Sequence, residues 1–555
     1  MTQFCLKTYL SDCQKKSLCY RTLMLVKLDT FKKNTDHQPK KPHIVVIGAG
    51  FGGLAAAMRM GAKGYDVTVL DKLDTVGGRG SSIQKGGHRF DLGPTIITMP
   101  HLLEELWTSC SRTFAEYVDL RPKSPFYTIT FPDGTRFHAQ QDEAKMREEV
   151  ARLFPNDLGG YDRFMVDSEK RYEFAFSSTN KIGRLPMERF WDTLKVIPKF
   201  AQMRADRSVY ANAAKFVKDE RLRMALSFHP LFVGGNPFQV TSMWGLVCHL
   251  EKSYGVHYAI GGSVSIAKAM SKIISEQGNQ VRLNTRVDEI ITSAGKAVGV
   301  RLSDGEEIAS DIVISNADSG HTYSSLLKRK NKKRWTNAKL SRQKWSMGLF
   351  VWYFGTKGTR DLWKDVDFHT VINGPRYKGL VTDIFVKGKL ASDMSLYLHR
   401  PSVADPTAAP KDDDTFYALS PVPNLSFKNS VDWQKQAEPY RKKVQATLEK
   451  TLLPGLGDYL TQSHIMTPSD FKERYLSPFG SGFSMEPQMF QSAWFRPHNI
   501  SEDVPGLFLV GAGTHPGPGV PGVLASAEIV AKLIPNADSS KVQGNLMENK
   551  VEITI

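Results

Sequence analysis

From His43 to Asp71 the chain reads as an apolar run, a glycine turn, an alanine-rich stretch of helical length, and a second apolar run closed by an acid. That order suits a strand–helix–strand unit with parallel strands. Gly48, Gly50 and Gly53 supply the GxGxxG spacing. The first glycine makes a tight turn, the second admits a pyrophosphate against backbone N–H groups, and the third lets the helix pack close to the sheet. The helix N-terminus then faces the phosphates. Asp71 stands 23 residues after Gly48, where a carboxylate accepts hydrogen bonds from an unphosphorylated ribose. The expectation is a Rossmann-type α/β dinucleotide-binding domain.

Directly after the second strand, Gly77 and Gly78 precede Arg79. A paired glycine turn with a fixed guanidinium can clamp a diphosphate from its other side. The run HRFDLGPTIITMP that follows is dense in Gly and Pro, which brings backbone close to a flat group such as a flavin. Some four hundred residues later, GLFLVGAGTHPGPGVPGVLASAEIV repeats the logic of strand, glycine turn and helix. A helix starting near Gly522 would turn its positive end toward the flavin and stabilise the negative charge that builds there on reduction.

The chain has 555 residues, more than one hydrophobic core usually serves, so the cofactor unit is expected to be interrupted. Residues 42–125, 255–325 and 476–536 are assigned to it. Residues 126–254 and 326–475 form an inserted α+β substrate- and membrane-binding domain. Residues 1–41 and 537–555 are read as an unstructured extension and tail. A hairpin is expected at Pro132, Asp133 and Gly134, and a small sheet turning at Asp304 and Gly305. Residues 188–207 place Phe190, Trp191, Leu194, Ile197 and Phe200 at helical spacing with Arg189, Lys195, Lys199, Arg204 and Arg207 between them. Such a helix either lies on a membrane surface or faces a core with a solvated side.

The formal charge of +16 favours an anionic partner, and its densest run is Lys328, Arg329, Lys330, Lys332, Lys333 and Arg334. That run is a solvated loop or a lipid headgroup contact. No nucleic-acid-binding motif accompanies it, and none is expected to be bound. The five cysteines include no CxxC pair, so no disulfide scaffold or metal site is expected. The longest apolar stretch, 44–58, is too short for a bilayer span. Peripheral attachment on the cytoplasmic side is the expected location.

Taken together, GAGFGG, GGR, FDLGPT and VGAGTHPGPGVPGV resemble the bacterial-type carotenoid desaturases, above all the phytoene desaturases, in the flavin amine oxidase-like superfamily. The segments SFHPLFVGGNPF, GVHYAIGGSVSIAKAM, ISNAD, SLYLHRPSVADPTAAP and QSAWFRPHNI extend the likeness over residues 42–535. The resemblance implies FAD as cofactor, phytoene or a similar membrane-dissolved polyene as substrate, and quinone or oxygen as electron acceptor. It places Gly48, Gly50, Gly53, Asp71, Gly78, Arg79, Thr95, Val287, Gly513, Thr514 and Gly522 at the FAD, and Asp192 at proton handling near the substrate. Lys195 and Thr75 depart from the family's arginines. The resemblance further implies four desaturations to lycopene, with a C30 or hydroxylated polyene, or carotene isomerisation, as the alternative reaction. A non-enzymatic isoprenoid escort is the more distant alternative. An apolar tunnel is expected among Phe228, Phe232, Trp244, Phe350, Trp352, Tyr353, Phe354, Phe483 and Trp494.

Overall fold

The computed structural model describes residues 41–176, 182–328 and 333–538, with the side chains of residues 182, 192 and 193 excepted. The strand His43–Ile47 is apolar and buried on both faces from Ile44 onward, the pattern of a central parallel strand. It pairs in parallel with Asp66–Leu70 on one side and Ile312–Ser315 on the other. Gln280–Arg282 and Leu507–Leu509 complete a five-stranded parallel sheet. Its strands come from three distant parts of the chain, so the other elements are excursions from one sheet. The helices Phe51–Ala62, Ser263–Glu276 and Val520–Leu533 share a core with it. Alanines at 55, 56 and 57 keep the first of these thin enough to sit close.

Val287–Ser293, Lys296–Leu302 and Glu307–Ala309 form a small antiparallel sheet. It turns through Gly305 at φ +94° and hands the chain to Ile312–Ser315. The larger excursion builds a seven-stranded mixed sheet in the order Leu460–Met466, Gly348–Thr356, Asp414–Val422, Leu396–His399, His369–Ile372, Tyr127–Thr130, Arg136–Ala139. The last two strands are the hairpin expected at 132–134.

Buried charges tie this sheet together. Arg400 is 0% exposed. It grips Asp414 through Nε (3.0 Å) and Nη2 (2.8 Å). It also donates to the carbonyls of Arg360, Trp363 and Val366, so all five N–H bonds find acceptors. Asp414 accepts further bonds from Ser402, Thr359 and Arg360. Burial pushes its acidity one way, but these donors win and hold its pKa below the ordinary carboxylate value. Five residues past Arg400, Asp405 binds Arg89 at 2.7 Å and the backbone N–H of Gly261 at 2.8 Å. The SLYLHRPSVADPTAAP segment therefore ties the seven-stranded sheet to the strand His88–Asp91 and to the turn before Ser263–Glu276.

Among the described residues no helix is long and apolar enough to cross a membrane. Residues 1–40 and 539–555, covering nearly all of the expected extension and tail, lie outside the described residues, as do Arg329, Lys330 and Lys332 of the basic run. Within that run Arg334 turns inward, 3.4 Å from Glu502 and stacked 4.3 Å over the Trp494 ring. Lys328 pairs with Glu289 at 3.0 Å. These two therefore have protein partners.

Candidate functional site

At the C-terminal end of His43–Ile47, Gly48 adopts φ +96°, a conformation open to glycine and strained for other residues. Its N–H donates to the Leu70 carbonyl at 2.7 Å. Gly50 precedes the helix, whose N-terminus lacks any side-chain cap, leaving its first N–H groups available to an anion. A Cβ built on Gly53 would fall 2.0 Å from the Gly48 carbonyl oxygen. Gly53 does not line the cavity; it permits the approach of helix to strand that shapes the turn.

The second glycine turn is bonded to the first. Gly77 N–H donates to the Ala49 carbonyl at 2.8 Å, and Gly50 and Gly77 form an isolated parallel bridge. Gly78 and Arg79 follow into the cavity wall. Arg79 donates through Nη2 to Ser477 (2.5 Å), while its buried Nε has no partner. An unpartnered buried guanidinium N–H beside a glycine cradle fits an anionic diphosphate. Lys72, Arg286 and Arg474 line the same cavity. With Arg79 they make this end of the cavity basic, and burial, followed by the charges of Arg286 and Lys72, pushes the His321 pKa down to about 4. The residues present thus fit a dinucleotide such as FAD.

Asp71 lies in the wall with each carboxylate oxygen accepting one backbone N–H: Ala49 at 2.7 Å and Leu73 at 2.8 Å. Burial raises its pKa against those two bonds. Each oxygen keeps a lone pair for a ribose hydroxyl. Val287 lies in the same wall, as does Thr95, whose hydroxyl meets those of Tyr397 (3.0 Å) and Tyr417 (2.8 Å). Gly522 sits in the first turn of Val520–Leu533 and also faces the cavity.

Gly513 and Thr514 are set behind the wall. A Cβ on Gly513 would meet Ser319 Oγ at 2.5 Å, and the Thr514 hydroxyl donates to the Pro497 carbonyl at 2.6 Å. They shape the closing turn from outside. The backbone of Asp192 lies in the helix Phe190–Gln202; its side chain is outside the described residues.

Two residues join the site that glycine spacing did not reveal. Asn316, of the ISNAD segment, donates from Nδ2 to the Gly48 carbonyl at 3.3 Å. Added Cβ atoms at Gly50, Gly52, Gly53 and Gly511 would all strike it within 3.0 Å, so the first glycine turn and the closing turn at Gly511 pack around one side chain. The signal was its position at the end of an apolar strand, where ligand sites of parallel sheets lie. Arg496, of QSAWFRPHNI, is fully buried and donates to the carbonyls of Met485, Gln491 and Ala512. Burial brings its pKa down to about 10, and its grip on Ala512 fixes the closing turn.

From the cradle the cavity, with an accessible volume of about 530 Å³, runs beneath the seven-stranded sheet. Phe228, Phe232, Trp244, Tyr353 and Phe483 line it as expected. Phe350, Trp352 and Phe354 do not. They are on the opposite face of Gly348–Thr356, packed with Trp433, Tyr440 and Val444 of the helix Trp433–Thr451, while Leu349, Val351 and Tyr353 face the cavity. The two-residue alternation of a strand separates the sets. Trp494 is also elsewhere, its ring 5.1 Å from Phe190.

That contact belongs to an apolar surface. Phe190 is 44% exposed, Trp191 71% and Ile197 49% on one helix; Phe490, 73% exposed, stands beside Phe495 on the neighbouring loop. Trp494 packs between these two elements, against Phe190 and against Phe495.

Residues 51–535 match the family described as flavin containing amine oxidoreductase. The chain is 61% identical over 506 residues to a neurosporene-forming phytoene desaturase of Rhodobacter capsulatus, covering 91% of this chain and 95% of that protein. It is 41% identical to a lycopene-forming phytoene desaturase of Paracoccus sp., covering 90% and 98%. An oxidoreductase of Methanosarcina mazei shares the fold at a TM-score of 0.57 and 17% identity, over 88% of this chain and all of that one.

Proposed function

The chain belongs to the flavin containing amine oxidoreductase family and, within it, to the bacterial-type phytoene desaturases, and from that premise we propose that it converts phytoene to neurosporene in three desaturations at a lipid surface. It is an FAD-dependent oxidoreductase acting on CH–CH groups in carotenoid biosynthesis. The observation that carries the reading is one continuous cavity, cationic and glycine-walled at one end and apolar at the other.

When bound, FAD supplies the two-electron acceptor for the hydride lost from carbon. Gly48, Gly50, Asp71, Arg79 and the N-terminus of Phe51–Ala62 would hold its nucleotide and diphosphate. Thr95, Val287 and Gly522 complete that end, with Gly513 and Thr514 supporting from behind. The apolar walls around Phe228, Phe232 and Leu349 orient a hydrocarbon and exclude water. Quinone or oxygen then receives the electrons.

Three steps rather than the expected four are favoured because the relative at 61% identity forms neurosporene, whereas the one at 41% forms lycopene. Co-expression with a phytoene-forming synthase in an otherwise colourless bacterium, followed by chromatography of the pigment, will give neurosporene as the main product. Lycopene as the main product would overturn the step count, and unchanged phytoene the substrate.

The exposed patch of Phe190, Trp191, Ile197 and Phe490 is the proposed lipid-docking surface, since a membrane-dissolved substrate must enter from the bilayer. Burying each such aromatic contributes about 1.5–3 kcal/mol, and 1.4 kcal/mol is a factor of ten. Trp191→Ser combined with Phe490→Ser should weaken co-sedimentation with liposomes at least about tenfold at unchanged flavin content. Equal sedimentation of variant and wild type would remove the patch from docking.

A further inference from the structure

Each desaturation releases a proton as well as a hydride, so the apolar end of the cavity needs a group to receive it. Among the described residues four carboxylates line the cavity: Asp71, Asp91, Glu251 and Asp318. The first, second and fourth lie against backbone donors or guanidinium groups, although Asp91 Oδ1 and Asp318 Oδ2 are themselves buried without a hydrogen-bond partner among the described residues. Asp71 holds two backbone N–H groups. Asp91 faces Arg89 at 3.6 Å and accepts from Tyr258 at 3.0 Å. Asp318 accepts from the Gly320 N–H at 2.9 Å and lies in the field of Arg79 and Arg496.

Glu251 differs in its surroundings, having no arginine partner among the described residues. It is 4% exposed, and the neighbouring cavity wall is formed by Phe228, Phe232, Trp244, Leu246 and Leu250. Both of its hydrogen bonds fall on Oε2, from Tyr127 Oη at 2.7 Å and His229 Nε2 at 3.2 Å, which leaves Oε1 without a partner among the described residues. Burial opposes charge on His229, but the Cys248 sulfur and the Glu251 carboxylate push its pKa up to about 10. His229 and Tyr127 thus hold the Glu251 carboxylate in place through Oε2. The rings of Tyr127, Phe232 and Tyr397 lie in succession, 6.4 and 5.8 Å apart, and join this cluster to the Thr95 hydroxyl at the cofactor end.

We propose that Glu251 is a catalytic residue, its Oε1 accepting the proton that leaves the substrate carbon next to the one that loses hydride. The electron pair of that C–H bond becomes the π bond, the hydride reduces FAD, and the proton passes to the carboxylate. Tyr127 and His229 act as positioning residues. This rests on the desaturase reading above.

The test uses FAD-loaded enzyme with phytoene in liposomes. Glu251→Gln keeps the shape of the side chain and should lower the single-turnover rate at least about 100-fold, with flavin content and phytoene retention unchanged. In the wild type, anaerobic reduction by phytoene should produce a protonated-carboxyl band in the infrared difference spectrum, absent from the same spectrum of Glu251→Gln reduced by dithionite. A variant turning over within threefold of wild type overturns the proposal, as does a wild-type spectrum without the band. If Glu251→Gln fails to hold FAD, Glu251→Asp and the wild-type spectrum decide. Wild-type enzyme inactive on phytoene would instead overturn the desaturase reading, while Asp192→Asn slow beside a fully active Glu251→Gln would move the proton to Asp192.

Discussion

Gly53→Ala will lose most of its flavin. The added Cβ lands 2.0 Å from the Gly48 carbonyl oxygen, and both atoms belong to backbone that cannot swing aside. Relief requires the helix Phe51–Ala62 to lift from His43–Ile47, which opens the turn whose N–H groups face the diphosphate. Overpacking of this kind costs about 1–3 kcal/mol or more, so flavin affinity should fall at least about fivefold. The ratio of flavin to protein absorbance after gel filtration reads this directly. Gly159→Ala is the matched control: it lies inside Leu158–Phe176, and its Cβ would meet only Arg163 Nη1 at 3.6 Å. Alanine there should add up to about 1 kcal/mol of helix stability. Full flavin occupancy in Gly53→Ala would mean that the close approach is dispensable.

Asp414→Ala should destabilise the chain by about 3–5 kcal/mol, because it strands a fully buried guanidinium. Chemical denaturation, or yield of soluble protein if unfolding is irreversible, measures it. The double variant Arg400→Met, Asp414→Leu should recover only part of the loss. It removes both charges, but the carbonyls of Arg360, Trp363 and Val366 then lose their donor, and each unsatisfied buried group costs about 1–3 kcal/mol. The sign of the pH effect follows from the depressed pKa of Asp414. The stability it contributes is complete above the unfolded carboxylate value of about 3.9 and is lost as pH falls through the lower folded value. A double variant as stable as wild type would show that the backbone bonds contribute little.

The parallel sheet was legible because its strands are buried on both faces and its turn is forced by glycine: Ile44 to Leu70 carries both signals in fewer than thirty residues. Asp71 and Arg79 were legible for related reasons, as they flank glycine turns, whereas Thr95 came only with the family resemblance; all three line the cavity. Asn316 escaped because its role is to fill the space between two glycine turns, a relation that exists only after strands 270 residues apart have paired. Glu251 escaped for the same reason. Its partners Tyr127 and His229 come from a different strand and turn, and nothing in the sequence around Glu251 distinguishes it from a solvated helix acid. Three of the four tunnel residues expected on Gly348–Thr356 face away from the cavity, because LFVWYF is apolar at every position and hydrophobicity alone could not say which side chains face it.

That strand also separates two kinds of change. Leu349, Val351 and Tyr353 shape the chamber, whereas Phe350, Trp352 and Phe354 hold the helix behind the sheet. Alternate letters of one short word therefore answer to different selections, one for the polyene accommodated and one for persistence of the fold. Substitution at 349, 351 or 353 should therefore reshape the chamber and leave the packing of Trp433–Thr451 on the sheet intact.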